Sequence, residues 1–172
     1  NKTSEVLTSG LNGRATIFSE DLPDIGPVVI KNYARGGIFK KIISRKYLKW
    51  GKIRSEREYE LLSAVRKLGI NAPEPIAFAH DKKLFYRAWL VTRQIATHKN
   101  LAEISLEDPD RAGKLTGIIS KQLGTLINNR IYHVDFHPGN VVADQNDNLF
   151  FVDFDKAHYF QGAKNRLRDM YL

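Results

Sequence analysis

Four side chains toward the end of the sequence have types and spacing that suit phosphoryl transfer. Asp135 lies two residues after His133 and five residues before Asn140, and Asp153 follows thirteen residues after Asn140. Phosphoryl transfer needs a carboxylate that accepts the proton of the attacking hydroxyl, together with oxygen ligands for magnesium. The spacing therefore predicts that Asp135, Asn140 and Asp153 meet at one phosphoryl-transfer site.

A β-hairpin is predicted between Asn140 and Asp153. Two valines after Asn140 begin the first strand, the polar run 144–148 gives the turn, and residues 149–152 form the return strand. Such a hairpin brings Asp153 back to the loop that carries Asp135. The alternative is a plain hairpin with surface carboxylates. It is less favoured, because Asn140 and Asp153 occur in register with the His133 and Asp135 pair.

A second pair of charged residues lies in the first half of the chain. A run of β-branched residues ends in Lys31, and a helix predicted over about 53–68 carries Glu58. Leucines follow Glu58 at i+3 and i+4, which puts its carboxylate at the border of the apolar face, from where it can reach inward. We expect Lys31 to pair with Glu58 rather than with Glu56 or Glu60.

Alternating patterns and turn signals predict the remaining elements. Strands are predicted at 5–8 and 15–18, which pair, and at 76–79 and 88–92, which also pair, with a loop over 21–27. Helices are predicted at 101–106, 108–129 and from 164 onward, and one face of the second carries the apolar residues Leu115, Ile118, Ile119, Leu123, Leu126 and Ile127. Gly69 is predicted to end the Glu58 helix, and 71–75 to form an extended connector. The Gly-containing turn at 9–13 has two interpretations that both stay open, a cover for nucleotide phosphates or a simple turn.

A basic, aromatic-rich insert follows the Lys31 strand at residues 36–52. Apolar side chains recur at helical spacing within it, at Phe39, Ile42, Ile43, Tyr47 and Trp50. Lysines and arginines fill the remaining positions, as in a helix that binds a membrane surface. Two interpretations stay open: a helix packed on its own lobe, or a docking surface for an anionic membrane or lipid acceptor. The candidate docking residues are Lys41, Arg45, Lys49 and Trp50.

Composition and charge limit the classes of protein. The 172 residues are 42% hydrophobic and 27% charged, as in a soluble globular chain, and the absence of cysteine excludes disulfides and thiolate metal sites. No apolar run approaches the roughly 20 residues needed to cross a bilayer. No secretory signal precedes Asn1, so we expect a cytoplasmic setting.

The net charge of +8 favours an acidic partner, such as a nucleotide, a phosphorylated substrate or an anionic membrane. Nucleic acid is not predicted as a partner, because the basic residues cluster in one insert and no nucleic-acid motif occurs.

The order of these features resembles the protein-kinase-like superfamily across nearly the whole chain. The motifs that carry the resemblance are H-x-D-x-x-x-x-N at 133–140 and D-F-D at 153–155. The resemblance implies an α+β bilobal fold and ATP as the phosphate donor. A small β-rich N-lobe with one main helix would span 1–95, and a compact, mainly helical C-lobe would span 96–172.

The same resemblance assigns roles residue by residue. Asp135 would orient the acceptor hydroxyl and accept its proton as the catalytic carboxylate, and Asn140 and Asp153 would ligate Mg²⁺. Lys31, held by Glu58, would bind the α/β-phosphates of ATP. An adenine ring commonly docks on backbone groups at a lobe crossing, so Gln94 and Ile95 are candidate nucleotide contacts. Auxiliary roles are predicted for three further residues, His133, His137 and Asp155.

Departures from the protein-kinase pattern bear on the substrate. Val134 replaces the arginine of many regulated kinases, Asp155 stands where D-F-G has glycine, and no A-P-E follows. A protein substrate and a phosphorylation-controlled activation segment are therefore not expected. The loop at 133–140 is more similar to that of aminoglycoside and choline phosphotransferases.

Bacterial lipopolysaccharide-core kinases resemble the chain more fully. The similar segments are Tyr33–Gly37, the insert through Leu48, Arg57–Leu62, Gly69 with Pro73 and Pro75, Ile131–His133 and Val152–Asp155. This group includes the 3-deoxy-D-manno-octulosonic acid (Kdo) kinase and heptose kinases. The resemblance implies a lipid-linked sugar acceptor at the cytoplasmic face of the inner membrane. The D-F-D ending is more similar to the Kdo kinase, whereas the H-P-G-N loop differs from the loop of the Kdo kinase. The sequence therefore leaves open whether the acceptor sugar is Kdo or heptose.

Three other functions are compatible with parts of the sequence. A kinase for a soluble small molecule shares the catalytic loop. A nucleotide-binding pseudokinase scaffold is disfavoured, because Lys31, Asp135, Asn140 and Asp153 are all present. The net charge is the only feature of the sequence that supports a nucleic-acid binder.

Overall fold

The computed structural model describes residues 5–7, 15–34, 53–81, 87–96 and 98–171. The predicted turn at 9–13 and the basic insert at 36–52 lie outside the described residues. The same holds for the candidate docking residues Lys41, Arg45, Lys49 and Trp50.

Contacts within the chain divide it into two compact units. The first comprises Asn1–Tyr59 and Pro75–Gln94, and the second comprises Glu60–Glu74 and Ile95–Leu172. Residues 60–74, which the sequence placed in the N-lobe, group with the second unit. One reason is a backbone hydrogen bond from the Phe151 N–H to the Asn71 carbonyl, at 2.9 Å. The lobes themselves stay a prediction.

The first unit contains a five-stranded antiparallel sheet with the order β1-β2-β3-β5-β4. Its strands are β1 Glu5–Leu7, β2 Ala15–Leu22, β3 Gly26–Ala34, β4 Pro75–His80 and β5 Arg87–Arg93. The predicted pairing of β1 with β2 and of β4 with β5 is confirmed. The mixed helices and sheets of the two units confirm the α+β fold class.

A tight turn joins β2 to β3 where the sequence predicted a loop over 21–27. Leu22 pairs with Gly26 across the turn, so both strands are longer than predicted. Positive φ angles at Asp24 (64°) and Gly26 (85°) reverse the chain within three residues. Asp and Gly are residues that adopt this region at low cost.

The helix that carries Glu58, α1, spans Arg54–Lys67. It ends as predicted at Gly69, whose φ of +78° is the left-handed conformation that closes many helices. The Ile70 N–H reaches back to the Val65 carbonyl at 3.2 Å. Residues 70–74 then run extended, as predicted, and lead into β4.

The second unit combines three further helices with two small antiparallel sheets. The helices are α2 Leu101–Glu107, α3 Pro109–Asn128 and α4 Lys164–Tyr171. The strands are β6 His98–Asn100, β7 Ile131–Tyr132, β8 Val141–Asp144, β9 Leu149–Phe151 and β10 His158–Tyr159. They form a β6-β8-β9 sheet and a β7-β10 pair. None of the helices in the described ranges is long and apolar enough to cross a bilayer.

Helix α3 buries a narrower stripe than its apolar sequence predicted. Leu115, Ile119 and Leu126 are buried, whereas Ile118 is 42% exposed. The buried residues follow the i, i+4, i+11 spacing of one helix face, and Ile118 lies one position, or about 100°, off that face. The predicted apolar face, which included Ile118, is therefore wider than the face that is buried.

Candidate active site

In the first unit, Lys31 and Glu58 form the predicted ion pair. Lys31 lies in the middle of β3, between Ile17 of β2 and Leu90 of β5. Its Nζ is 3.1 Å from Oε1 of Glu58, whose side chain is 4% exposed. A buried carboxylate costs free energy unless cations and donors satisfy it. The pairing that the helix phase predicted is therefore confirmed, while its role in binding ATP stays a prediction.

Two residues that sequence reasoning missed complete the surroundings of Glu58. The buried hydroxyl of Tyr33 donates to Oε2 of Glu58. The guanidinium of Arg54, one turn before Glu58 in α1, lies 5.1 Å from the centre of the Tyr33 ring. Tyr33 follows Lys31 by two positions and so shares its face of β3. That alternation was the signal in the sequence that could have identified Tyr33.

Gln94 and Ile95, the candidate adenine contacts, come directly after β5. The backbone N–H of Gln94 donates to the Pro27 carbonyl at 3.0 Å, and its side-chain Oε1 accepts from the Ser19 hydroxyl at 2.8 Å. Gln94 is exposed and Ile95 half-buried. Because the Gln94 N–H is engaged within the first unit, a ligand there would have to use other backbone groups.

In the second unit, Asp135 and Asn140 are bonded to each other. Asp135 lies in the loop after β7, and Asn140 ends a short 3-10 turn, Pro138–Asn140, that leads into β8. The side-chain Nδ2 of Asn140 donates to the Asp135 backbone carbonyl at 2.9 Å. The Asn140 carbonyl in turn accepts from the Val152 N–H at 3.0 Å. The predicted hairpin is confirmed by pairing of Val141 with Phe151.

His133 is buried beneath this loop and fixes the residue before Asp153. Its Nε2 lies 2.9 Å from the Val152 carbonyl, which requires a hydrogen on Nε2. Burial lowers the pKa of His133 below its ordinary value. Its Nδ1 is buried and has no hydrogen-bond partner among the residues that the structure describes, so the neutral ring is the form that this site accommodates. The backbone of Asp153 has a φ of +61°, which lies in the left-handed region.

Tyr171, at the end of α4, was not identified from the sequence. Its hydroxyl donates to the Ile131 carbonyl at 3.0 Å and accepts from the His133 N–H at 2.8 Å. Burial raises the pKa of Tyr171 to about 12, so the hydroxyl keeps its proton for this bond. The contact spans 40 positions along the chain, and no local pattern signals it.

A cation that the sequence reasoning also missed lies against Asp135, the candidate catalytic carboxylate. The Nζ of Lys156 is 2.8 Å from Oδ2 of Asp135. Lys156 is 60% exposed and Asp135 is 32% exposed. The position of Lys156 directly after D-F-D was the signal in the sequence that could have identified it, because the predicted hairpin already brought Asp153 to the loop that carries Asp135.

The remaining auxiliary candidates occupy the surface of the same loop and turn. His137 is exposed, and its Nδ1 accepts from the Gly139 N–H at 3.1 Å, which caps the 3-10 turn. Asp155 is half-buried on the turn after Asp153. Their catalytic roles stay predictions.

The donors present suit magnesium better than a metal held by protein alone. Among the described residues, no three His, Cys, Asp or Glu side chains group closely enough to hold an ion by themselves. Mg²⁺ commonly uses one or two side-chain oxygens and completes its shell with water and substrate phosphates. Asn140 fits that pattern, because its amide nitrogen is committed to Asp135 and its amide oxygen is the atom that can bind a cation.

Comparison with known proteins decides among the families that such a site allows. The model of the lipopolysaccharide kinase (Kdo/WaaP) family matches residues 1–171. The chain belongs to this family. The resemblance predicted from the motifs is thereby confirmed.

Curated members of the family are similar to this chain in sequence. The chain is 32% identical over 155 residues to a 3-deoxy-D-manno-octulosonic acid kinase of Vibrio vulnificus, covering 88% of this chain and 65% of that protein. It is 30% identical over 148 residues to the kinase of the same name from Vibrio cholerae, covering 81% and 63%. The corresponding Stenotrophomonas maltophilia kinase is 31% identical over 161 residues, covering 90% and 62%. The chain thus spans about two thirds or less of the length of these relatives.

A solved structure supports the fold of this family member independently. The structure described as WaaP in complex with acyl carrier protein superposes with a TM-score of 0.64. The match covers 99% of this chain and 67% of that one at 12% identity. At that identity, the likeness concerns the fold.

Proposed function

We propose that this chain is the catalytic part of an ATP-dependent kinase that phosphorylates a hydroxyl of Kdo in lipopolysaccharide. The observation that carries the proposal is the bond between Asn140 and Asp135, which holds a candidate proton acceptor and a candidate metal ligand in one loop. The relatives named as Kdo kinases favour Kdo over heptose as the acceptor.

In the proposed reaction, Asp135 accepts the proton of the acceptor hydroxyl. The hydroxyl oxygen forms a bond to the γ-phosphorus of ATP while the bond from that phosphorus to the β–γ bridging oxygen breaks, and ADP leaves. One carboxylate oxygen of Asp135, Oδ2, is paired with Lys156, and we assign the other, Oδ1, to the hydroxyl. A carboxylate that positions and deprotonates an acceptor contributes about 10²–10⁴-fold to the rate.

We assign Asn140 and Asp153 to Mg²⁺, which would neutralise charge on the phosphates when bound. His133 supports this arrangement by holding the Val152 carbonyl, directly before Asp153. Because the His133 side chain is buried and Val152 is also bonded to Asn140, the backbone that presents Asp153 has two fixed neighbours.

Lys31 is assigned to the α/β-phosphates of ATP. Glu58 and Tyr33 support the assignment, because Glu58 pairs with the Lys31 Nζ and accepts from the Tyr33 hydroxyl, while 16% of the Lys31 side chain stays exposed. Gln94 and Ile95 are assigned to the adenine ring through their backbone groups. These roles follow the pattern of the kinase superfamily and are proposals for this chain.

The basic insert at 36–52 is assigned to docking on the anionic cytoplasmic face of the inner membrane or on the phosphorylated acceptor. A cation near an anionic surface contributes about 1 kcal/mol, and the effect is screened over about 8 Å at physiological salt. Changing Lys41, Arg45 and Lys49 to Gln should reduce co-sedimentation with anionic liposomes and leave the KM for ATP unchanged.

A matched control for the docking test uses exposed lysines of the second unit. Lys114, Lys121 and Lys164 lie on α3 and α4, and changing all three to Gln removes the same charge. If both triple variants sediment equally, or if the unaltered protein does not bind liposomes, membrane docking by the insert is wrong.

One assay tests the proposed activity. Purified protein is incubated with ATP, Mg²⁺ and a lipid A precursor bearing one Kdo residue, in parallel with a heptosylated core acceptor and free sugars, and phosphate transfer is followed by mass spectrometry. We expect transfer to the Kdo-bearing lipid. Transfer only to a soluble sugar or aminoglycoside would instead favour the small-molecule kinase, and ATP binding with no transfer would favour a pseudokinase scaffold.

A further inference from the structure

We propose that Lys156 is the acceptor-specificity residue of this kinase. It would bind the carboxylate of the acidic sugar while a hydroxyl of the same sugar lies against Asp135. This inference rests on the proposed function, since Kdo is a sugar acid with a carboxylate and a heptose acceptor is neutral.

The position of the ammonium group is the first argument. Lys156 Nζ is 2.8 Å from Oδ2 of Asp135. An acceptor hydroxyl must come within about 3 Å of the same carboxylate, so it lies within about 8 Å of the ammonium. That distance is about the span of one sugar ring. A carboxylate on the ring that presents the hydroxyl is therefore within reach of Lys156.

The second argument is the way in which the turn presents the charge. The Ala157 N–H donates to the Phe154 carbonyl at 3.0 Å and closes the turn that carries Lys156. Phe154 is fully buried, and its ring packs against His133 at 4.6 Å between centres. The backbone of the turn is thus anchored, whereas the lysine side chain is 60% exposed. An exposed ion pair stabilises little, so the ammonium can turn from Asp135 to an incoming anion.

Local charge gives the third argument. In the sequence from 131 to 157, Lys156 is the only lysine or arginine. Asp153 and Asp155 precede it closely and Asp135 contacts it, whereas Asp147 in the hairpin turn pairs with Arg111 of α3 at 2.7 Å. An acceptor with its own carboxylate meets repulsion from such a segment, whereas a neutral sugar does not. A compact ammonium on a flexible stem is suited to neutralise that carboxylate.

The test compares two acceptors that differ by one charge. One is the lipid A precursor bearing Kdo, and the other is the same lipid with the Kdo carboxylate converted to the carboxamide. Values of kcat/KM are measured at saturating ATP for the unaltered protein, Lys156→Met, Lys156→Arg and the control Lys121→Met on α3. A charge-assisted contact predicts that Lys156→Met lowers the carboxylate-to-carboxamide ratio of kcat/KM by about 10- to 100-fold, mainly through KM.

Lys156→Arg should restore most of the preference, and Lys121→Met should leave it as in the unaltered protein. Equal losses on both acceptors in Lys156→Met would mean that the lysine serves Asp135 or the ATP phosphates, which overturns this inference and leaves the kinase activity intact. Failure of the unaltered protein to distinguish the two acceptors would also overturn it. No transfer to either acceptor would overturn the proposed function, and this inference with it.

Discussion

Asn140 donates its side-chain N–H to the backbone carbonyl of Asp135 across 2.9 Å. The two residues are therefore held by one bond, although the sequence assigned them to different tasks. The bond also fixes which end of the Asn140 amide faces Asp135, and its oxygen is left for the cation in the proposed function.

Asn140→Asp separates these two tasks. Aspartate keeps an oxygen ligand but loses the donor and sets a carboxylate against the Asp135 carbonyl. We expect kcat to fall by about tenfold or more, because the loop that positions Asp135 is disturbed. The Mg²⁺ dependence of ATP binding, measured by calorimetry, should persist. Asn165→Asp, exposed on α4, is the control. Normal kcat in Asn140→Asp would contradict the positioning role.

Asp135→Asn tests the catalytic carboxylate itself. The amide cannot accept the hydroxyl proton, so kcat should fall by about 10²–10⁴-fold while ATP affinity stays within a few-fold. Asp169→Asn, on an exposed carboxylate of α4, should keep normal turnover. A turnover of Asp135→Asn close to that of the control would remove Asp135 from the catalytic role.

Tyr33→Phe tests the polar contact that sequence reasoning missed. It removes the hydroxyl that donates to buried Glu58. The free energy of unfolding in urea should fall by about 1–3 kcal/mol, as for other buried hydrogen bonds to charged groups. Tyr159→Phe, where the ring is 53% exposed, should change it by less than about 0.5 kcal/mol. Equal values for the two variants would show that the Tyr33 hydroxyl contributes nothing.

Asp153→Asn tests the second proposed magnesium ligand without straining the backbone. Asn tolerates the positive φ of position 153, whereas Ala does not. Even groups next to metal ligands affect affinity by about 10–100-fold, so Mg²⁺-dependent ATP binding should weaken by at least about tenfold. Asp155→Asn is measured in parallel. If only the Asp155 variant weakens binding, Asp155 is the ligand.

The pH dependence of stability tests the state of His133. Burial lowers the pKa of the folded His133 below the ordinary value of 6.5, so protonation favours the unfolded chain. Its contribution to stability is present above pH 6.5 and is lost as the pH falls through the lowered value. His133→Gln should therefore show a smaller loss of unfolding free energy between pH 7.5 and 5.5. NMR should find hydrogen on Nε2 alone at pH 6.5, and an imidazolium there would contradict the assignment.

Sequence reasoning succeeded where a local period determined the contact. The phase of α1 placed Glu58 inward, and the polar run at 144–148 fixed the hairpin that returns Asp153. It succeeded less where burial of a residue depends on which other elements pack against it. Ile118 is apolar but lies off the buried stripe of α3, because stripe width depends on what packs against the helix.

Local spacing alone does not identify the partners in three contacts of the site. Tyr33 was one alternation away from Lys31, and its target depends on where α1 lies. Lys156 meets Asp135 only because a turn brings it there. Tyr171 contacts backbone groups of β7 and His133, and backbone acceptors leave no mark in the sequence.

The clamp by Tyr171 has a consequence for biosynthesis. A ribosome produces β7 and the catalytic loop well before it reaches residue 171, because the clamp joins positions 40 residues apart. On a nascent chain, β7 and His133 would therefore lack their contacts to Tyr171 until α4 has left the exit tunnel, and we expect the loop to become ordered only then. Ordering of this loop should thus require residue 171 to be synthesised, and should occur in one step rather than growing with chain length.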